Sequence, residues 1–173
     1  TIIGSDNEIF TGAVIGSRTQ DKKFEGGNSY LRIGDRNKIR EYVTINPGTK
    51  EGTETSVGND NLLMAYSHVA HDSVVKDGTV LANVATLAGH VIVEDRAIIG
   101  GLSAVHQFVR IGQLALIGGC SKVVQDVPPF MIADGHPART RGINTVGLER
   151  AGFSTEEKTQ IKKAYKFIFK SGL

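Results

Sequence analysis

Aliphatic residues recur at every sixth position through most of the chain. From Val57 to Val123, twelve successive positions of this ladder are each Val, Ile or Leu. These ladder residues are Val57, Leu63, Val69, Val75, Leu81, Leu87, Val93, Ile99, Val105, Ile111, Ile117 and Val123. A period of six fits neither an amphipathic helix nor a simple alternating strand. Hexapeptide repeats of this kind predict a parallel β-helix, a solenoid whose stacked coils bury an aliphatic residue on each side.

The same ladder begins earlier in the chain, at Ile3, Ile9, Ile15, Ile33, Ile39 and Ile45. Its phase fails at Asp21, Gly27 and Glu51, which predicts two loop excursions at about residues 17–30 and 47–56. Glycine directly follows the ladder residue in several hexads, at Gly4, Gly16, Gly34, Gly58, Gly100, Gly112 and Gly118. A residue without a Cβ there lets the chain turn or approach another backbone closely.

The repeat ends near Pro128 and Pro129, because consecutive prolines remove two backbone donors. We therefore expect a β-solenoid over residues 1–131 and a C-terminal helical segment over residues 132–173, both truncated at the chain ends. Within the second segment we expect a short helix at about 144–150. A longer helix follows a capping box that begins at Ser154, with an apolar stripe at Ile161, Tyr165, Ile168 and Phe169.

Composition excludes several classes of protein. A formal net charge of +2 is too small for the concentrated basic field of a nucleic-acid-binding protein. No apolar stretch is long enough to span a bilayer, and no signal-like segment opens the sequence. The single cysteine, Cys120, cannot form an internal disulfide. These features predict a cytoplasmic protein with neither a nucleic-acid partner nor a membrane span.

Three histidines fall at one corner when three hexads are grouped into a coil of 18 residues. His71, His90 and His106 are the fifteenth, sixteenth and fourteenth residues of successive coils, and His68 is the twelfth of its own coil. Because stacked strands lie ~4.8 Å apart, these imidazoles are expected to line one polar groove. One of them can act as a general base near neutral pH. A zinc site and simple packing at a subunit contact remain as alternatives.

Several segments of the chain closely resemble the UDP-N-acetylglucosamine O-acyltransferases that begin lipid A synthesis. The resemblance covers essentially the whole chain, and the segments that carry it are Ile33-Gly34-Asp35-Arg36-Asn37, Ser67-His68-Val69-Ala70-His71-Asp72, Leu87-Ala88-Gly89-His90-Val91, Ala104-Val105-His106-Gln107-Phe108 and Gln125-Asp126-Val127-Pro128-Pro129. This resemblance implies a mainly β fold, namely a left-handed parallel β-helix followed by helices, and a homotrimer with active sites between neighbouring subunits.

The resemblance also implies roles for individual residues. His71 is then the catalytic base for the glucosamine 3-hydroxyl, Asp72 orients it, and the Gly89 N–H is an oxyanion donor. The acyl donor is a 3-hydroxyacyl chain on acyl carrier protein, with no cofactor and no metal. Substrate-binding residues by the same match are Gln20, Asp21, Lys23, His68, His90, His106, Gln107, Asn144 and Arg150. Leu116 and Gly119 match the pocket for the acyl chain.

The chain departs from the family pattern at Asn46, Val146 and Ala151, where relatives commonly carry His, Glu and Arg. In the tail, lysines at four-residue spacing predict a basic line along one helical face, at Lys158, Lys162, Lys166 and Lys170. That line is either a solvated face or a docking surface for an acidic carrier protein. Other readings of the whole chain are an N-acyl or coenzyme-A-dependent hexapeptide transferase, a zinc lyase of the carbonic anhydrase type, and a non-catalytic scaffold.

Overall fold

The computed structural model describes residues 1–170; residues 171–173, where the predicted helical segment ends, lie outside the described residues. The strands are β1 (Ile2–Ile3), β2 (Glu8–Ile9), β3 (Val14–Ile15), β4 (Tyr30–Ile33), β5 (Lys38–Ile39), β6 (Thr44–Ile45), β7 (Glu54–Val57), β8 (Leu62–Leu63), β9 (His68–Val69), β10 (Val74–Val75), β11 (Val80–Leu81), β12 (Thr86–Leu87), β13 (Ile92–Val93), β14 (Ile98–Ile99), β15 (Ala104–Val105), β16 (Arg110–Ile111), β17 (Leu116–Ile117), β18 (Lys122–Val123), β19 (Met131–Gly135) and β20 (Ala138–Ile143). The helices are α1 (Thr145–Arg150) and α2 (Thr155–Lys170).

The strands form three sheets along a parallel β-helix, because each strand from β4 to β18 pairs with the strand three positions earlier in the chain. The sheet orders are β1-β4-β7-β10-β13-β16, β2-β5-β8-β11-β14-β17-β19-β20 and β3-β6-β9-β12-β15-β18. Val69 pairs with Leu87, which fixes a coil of 18 residues as predicted. Larger offsets occur earlier, where Ile15 pairs with Ile45 and Ile45 with Val69, because loops are inserted. The first loop comprises residues 16–29 and the second loop comprises residues 46–53.

The core is the aliphatic ladder. All twelve ladder residues from Val57 to Val123 are at most 2% exposed. Burying such a side chain contributes ~1.5–3 kcal/mol before conformational entropy is subtracted. The ladder is open only at the first coil, where Ile3 and Ile9 are 41% and 47% exposed. Their strands pair on one side only among the described residues, so one face of this coil remains uncovered.

The corners between strands use a backbone conformation that the sequence did not reveal. The residue three positions after the ladder residue has a positive φ at most corners, including non-glycine residues such as Asp72 (φ 58°), His90 (φ 61°) and Phe108 (φ 68°). A glycine directly after the ladder residue serves a different purpose. A Cβ on Gly100 would lie 2.6 Å from the Ile117 carbonyl oxygen, so close coil stacking requires glycine there.

The solenoid ends in an antiparallel hairpin. Strand β19 pairs in parallel with β17, and β20 then folds back on β19. This hairpin carries strand structure beyond residue 131, where the sequence placed the change to helix. A short α1 follows, capped by the side chain of Asn144.

Helix α2 begins with the predicted capping box. The Ser154 N–H donates to Glu157 Oε2 at 2.7 Å, and the Glu157 N–H donates to Ser154 Oγ at 3.2 Å. Only part of the predicted apolar stripe reaches the core, because Ile161 and Tyr165 pack against it while Ile168 is 67% exposed. Among residues 1–170, no helix combines the length and apolar character needed to cross a membrane.

Candidate active site

The predicted histidines share one corner of the solenoid, which we call the histidine corner. It consists of residues 70–73, 88–91 and 106–109, each joining a strand of the third sheet to a strand of the first. The first loop and Asn46 of the second loop face this corner across a cleft of about 490 Å³. The cleft is lined by Gln20, Asp21, Lys22, Lys23, Asn46, His68, Ala70, His71, Ala88, Gly89 and Gln107.

His71 and Asp72 form a hydrogen-bonded dyad at the wall of this cleft. His71 Nδ1 lies 2.8 Å from Asp72 Oδ2. A carboxylate only accepts hydrogen bonds, so the neutral imidazole carries its proton on Nδ1 and keeps the Nε2 lone pair free. Asp72 is itself held in place, since Oδ2 accepts the Thr49 N–H at 3.2 Å and its own N–H donates to Thr55 Oγ1 at 2.7 Å.

The carboxyl of Asp72 is stabilised in its charged form. Burial raises the pKa of Asp72, but the nearby Thr53 side chain, the hydrogen bond from His71, the charge of His90 and the Thr49 amide together hold this pKa below its ordinary value. Asp72 is therefore ionised at neutral pH, which is the state needed to orient His71.

The Nε2 side of His71 faces the cleft. Asp21 Oδ2, on the first loop, lies 3.6 Å from Nε2. The Gly89 N–H has no hydrogen-bond partner in the described part of the chain, although the corresponding N–H groups of Asn59 and Asp77 at another corner donate to acidic side chains. The cleft therefore combines a free imidazole nitrogen with an unpaired backbone donor.

His90 contacts the dyad, whereas His68 lines the cleft beside it. The ring of His90 meets that of His71 edge-on, with centroids 5.2 Å apart, and stacks on Phe108 at 4.6 Å. His68 lines the cleft and places Nδ1 2.6 Å from Thr44 Oγ1. Burial lowers the pKa of His68, and a hydrogen bond with the Thr44 backbone opposes this change without cancelling it. His68 is therefore neutral near pH 7.

Three side chains of this corner are candidate metal ligands. One ligand atom each of His71, Asp72 and His90 lies within 4.8 Å of the others. A tetrahedral zinc ion with bonds of ~2.0–2.2 Å holds its ligand atoms roughly 3.3–3.6 Å apart. The 2.8 Å between His71 Nδ1 and Asp72 Oδ2 is instead the length of a hydrogen bond. The geometry therefore fits a proton-transfer dyad better than a zinc site.

The remaining predicted site residues lie elsewhere on the chain. His106 is exposed beside Gln107 and does not line the cleft, although its Nδ1 is 3.2 Å from the Gln107 carbonyl oxygen. A separate cleft of about 230 Å³ on another face contains Leu116, Asn144 and Arg150. Gly119 is exposed at the corner between the second and third sheets.

Asn144 has a structural function in the described fold. Its Oδ1 accepts the Gly147 N–H at 3.0 Å, and its Nδ2 donates to the Leu114 carbonyl at 2.8 Å. The side chain caps α1 and is 4% exposed. These contacts fix Asn144 at the edge of the second cleft.

Two contacts in or beside the cleft were not predicted from the sequence, one made by Asn46 and one by Thr44. Asn46 is 4% exposed and donates from Nδ2 to the Ser17 carbonyl at 3.0 Å, while its Oδ1 is buried without a hydrogen-bond partner among the described groups. Thr44 was not predicted as a site residue, although it lies directly opposite His68 in the neighbouring strand. The pairing of Thr44 with His68 can be derived from the six-residue repeat only when the length of the second loop is known.

Comparisons with known proteins find close relatives in one family. The family model described as UDP-N-acetylglucosamine O-acyltransferase, domain 2, matches residues 126–173. An acyl-[acyl-carrier-protein]–UDP-N-acetylglucosamine O-acyltransferase from Synechocystis is 51% identical over 99% of the chain. The crystal structure of the UDP-N-acetylglucosamine O-acyltransferase from Moraxella catarrhalis is 44% identical, with a TM-score of 0.95, and that from Bacteroides fragilis is 47% identical, also with a TM-score of 0.95.

The relatives are longer than this chain. The chain spans 62% of the Synechocystis protein and 67% of each of the two crystallised proteins, while 99% of the chain is covered in all three comparisons. The structural match confirms the left-handed parallel β-helix that the resemblance implied. Handedness could not be derived from the hexad period, because most parallel crossovers in proteins are right-handed.

Proposed function

The chain belongs to the family of UDP-N-acetylglucosamine O-acyltransferases, and from this premise we propose that it transfers a 3-hydroxyacyl group from acyl carrier protein to the 3-hydroxyl of UDP-N-acetylglucosamine. This reaction is the first step of lipid A biosynthesis. The observation that carries the proposal is the 2.8 Å hydrogen bond between His71 and Asp72 at the wall of a cleft large enough for a sugar.

The proposed chemistry is direct transfer without a covalent acyl-enzyme. His71 Nε2 takes the proton of the sugar 3-hydroxyl while the oxygen of this hydroxyl forms a bond to the thioester carbonyl carbon. The carbonyl oxygen becomes negative and accepts a hydrogen bond from the Gly89 N–H. The carbon–sulfur bond then breaks, and the departing thiolate of the carrier takes the proton from His71. General-base catalysis of this kind contributes ~10²–10⁴-fold, and one oxyanion donor ~10²–10³-fold.

Residues of the first loop are proposed to bind the sugar nucleotide. Gln20, Asp21 and Lys23 line the cleft opposite His71, and Lys23 provides a cation for the diphosphate. His68 and Gln107 line the same cleft. His90 is proposed to act from behind the dyad, since it contacts the His71 ring and Asp72 but does not itself line the cleft.

The proposal includes a homotrimer with sites between subunits. Asn144, Arg150 and Leu116 are matched to the same substrates as His71, yet they line another cleft of the same chain. A neighbouring copy related by threefold symmetry can present that second surface to the histidine corner. His106 and Gly119, which lie outside both clefts, are proposed to join the site in that assembly.

The proposed acyl donor is carried by an acidic protein. Lys162, Lys166 and Lys170 are exposed along α2, and Lys158 is half-buried on the same line. Complementary charge favours encounter with such a carrier. The reaction as proposed uses no cofactor and takes place in the cytoplasm, where the free thiol of Cys120 is stable.

The product of the reaction tests the proposal. The purified protein is incubated with UDP-N-acetylglucosamine and a panel of acyl carrier thioesters and acyl-coenzyme A compounds. The products are then identified by mass spectrometry. We expect a mono-acylated sugar nucleotide from the 3-hydroxyacyl carrier. H71A and D72N are each expected to reduce the rate by roughly 10²–10⁴-fold.

The competing readings give different results in the same experiment. Transfer from coenzyme A alone, or to an amine, would favour another hexapeptide transferase. Stoichiometric zinc together with carbon dioxide hydration would favour the lyase. Full activity of H71A would remove the proposed base and with it the mechanism.

A further inference from the structure

A buried pair of threonine hydroxyls joins the two loops beside His71. Thr19 Oγ1 and Thr49 Oγ1 lie 2.9 Å apart, and the two residues are 6% and 5% exposed. We propose that Thr19 and Thr49 are positioning residues that hold one carboxylate on each side of His71. This inference rests on the proposed function and identifies residues for it that the family resemblance did not supply.

Each threonine is bonded to one of the two carboxylate residues. Thr19 Oγ1 accepts the Asp21 N–H at 3.2 Å, and the Thr49 N–H donates to Asp72 Oδ2 at 3.2 Å. Asp72 contacts His71 Nδ1 at 2.8 Å, and Asp21 Oδ2 lies 3.6 Å from Nε2. The hydroxyl pair therefore connects the groups that face opposite nitrogens of one imidazole.

The pair is one of several links between the loops, and the Asn46 side chain makes another by donating to the Ser17 carbonyl at 3.0 Å. At their outer ends the Gly52 N–H donates to the Asn28 carbonyl at 2.8 Å, and the Asn28 N–H donates to Glu51 Oε2 at 2.7 Å. Loss of the threonine hydroxyls therefore leaves the loops attached to each other. We therefore expect the change to be local to the two threonines and to Asp21 and Asp72, to which they are bonded.

A small displacement at this point has a chemical consequence. Asp72 fixes the Nδ1–H tautomer of His71, and the tautomer decides whether Nε2 can accept a proton. Asp21 limits where a hydroxyl can stand beside Nε2. Since a misplacement of about 1 Å can cost about 10²-fold in rate, loosening either carboxylate lowers kcat without removing a group that touches the reacting atoms.

Isosteric variants test the inference. T19V and T49V each replace the hydroxyl with a methyl group, and T49V keeps the backbone N–H that binds Asp72. We expect each to lower kcat by roughly tenfold or more, with an unchanged KM for the acyl carrier. T19S and T49S retain the hydroxyl and are expected to recover most of the rate. Valine at both positions is expected to be no worse than the more severe single variant, because the two hydroxyls form one bond.

A matched control separates positioning from folding. Thr79 is a buried threonine at another corner, where its hydroxyl donates to Asn61 Oδ1 at 2.7 Å. T79V therefore loses a comparable buried hydrogen bond far from His71, and we expect it to lower the melting temperature while kcat stays unchanged. If T19V and T49V follow T79V in both measurements, the threonines are merely structural and the inference is wrong.

A second readout does not depend on acyl transfer. Long-range proton–nitrogen NMR correlations report which nitrogen of neutral His71 carries the proton. We expect wild type and T79V to show the Nδ1–H tautomer, and T49V to show a mixture. An unchanged tautomer in T49V would overturn the inference. If wild type transfers no acyl group, the proposed function fails, and this measurement still decides whether the threonines position His71.

Discussion

The ring of His71 fills the space that a side chain at Gly89 would need. A Cβ at position 89 would lie 2.4 Å from both Cε1 and Nε2 of His71. The conflict involves the end of a side chain rather than backbone, so the chain can relax by turning the imidazole away. Glycine at this corner is thus explained by the site and not by the fold.

We therefore predict that G89A folds but transfers slowly. The backbone N–H remains, while His71 is displaced, so kcat is expected to fall by roughly 10²-fold. Steady-state kinetics and thermal melting measure the two effects. The control is G142A, since a Cβ at Gly142 meets no atom within 4 Å. A fully active G89A would mean that His71 has no fixed place in the reaction.

The sequence predicts those parts of the site that stacking alone creates. A coil of 18 residues places His71 and His90 on adjacent coils, and the two rings are in contact. The contacts of Asp21 and Thr49 with the dyad could not be predicted in this way. They lie in inserted loops, where the hexad period gives no register and hydrogen bonds between side chains and backbone decide the path.

The C-terminal part shows the same limit. The capping box at Ser154 is a local pattern and was found from sequence. Strand β20 was not, because its pairing with β19 depends on contacts across the end of the solenoid rather than on the ladder. Ile168 belongs to a helical stripe in sequence, but it is 67% exposed in the structure. Tertiary context decides such positions.

Mixed assemblies test the shared site. H71A and R150A each damage one of the two clefts, so each protein alone is expected to be inactive or nearly so. When the two variants are coexpressed, some interfaces of the proposed trimer combine an intact His71 with an intact Arg150 from the neighbour. Random mixing in equal amounts gives roughly a quarter of the sites in that state. We expect activity to return to about that level in the purified mixture.

The control for this experiment pairs two lesions of the same cleft. H71A mixed with D72N cannot form an intact dyad at any interface, because both residues of a dyad come from one chain, so no gain over the parents is expected. Recovery in the control, or none in the H71A and R150A mixture, would contradict a site shared between subunits.

Charge reversal on α2 tests the carrier surface. K162E/K166E changes the formal net charge from +2 to −2, since two charges of +1 become −1. We expect weaker binding of acyl carrier protein at low salt and a smaller difference at high salt, because screening suppresses interactions between exposed charges. Calorimetry or fluorescence anisotropy measures the affinity.

A second double variant gives the same net charge at another place. Lys76 and Lys122 are exposed on the solenoid, and K76E/K122E also brings the formal charge to −2. If both double variants lose the same affinity, the effect comes from overall charge. An unchanged affinity for K162E/K166E at low salt would remove α2 from the carrier surface.

The stability of the fold is expected to fall in mild acid because of His68. Burial lowers the pKa of this histidine in the folded protein, so between the folded and unfolded pKa values the unfolded chain binds more protons. The contribution of His68 to the free energy of unfolding is therefore constant above about pH 6.5. This contribution decreases as the pH falls below about 6.5. H68N keeps a polar atom near Thr44 but cannot titrate, so its melting temperature is expected to drop less than that of wild type between pH 7.5 and 5.5. H106N removes an exposed imidazole and leaves His68 in place, and it should retain the wild-type dependence. Equal acid sensitivity in H68N and wild type would show that His68 accepts its proton without cost and that its burial does not exclude the charged form.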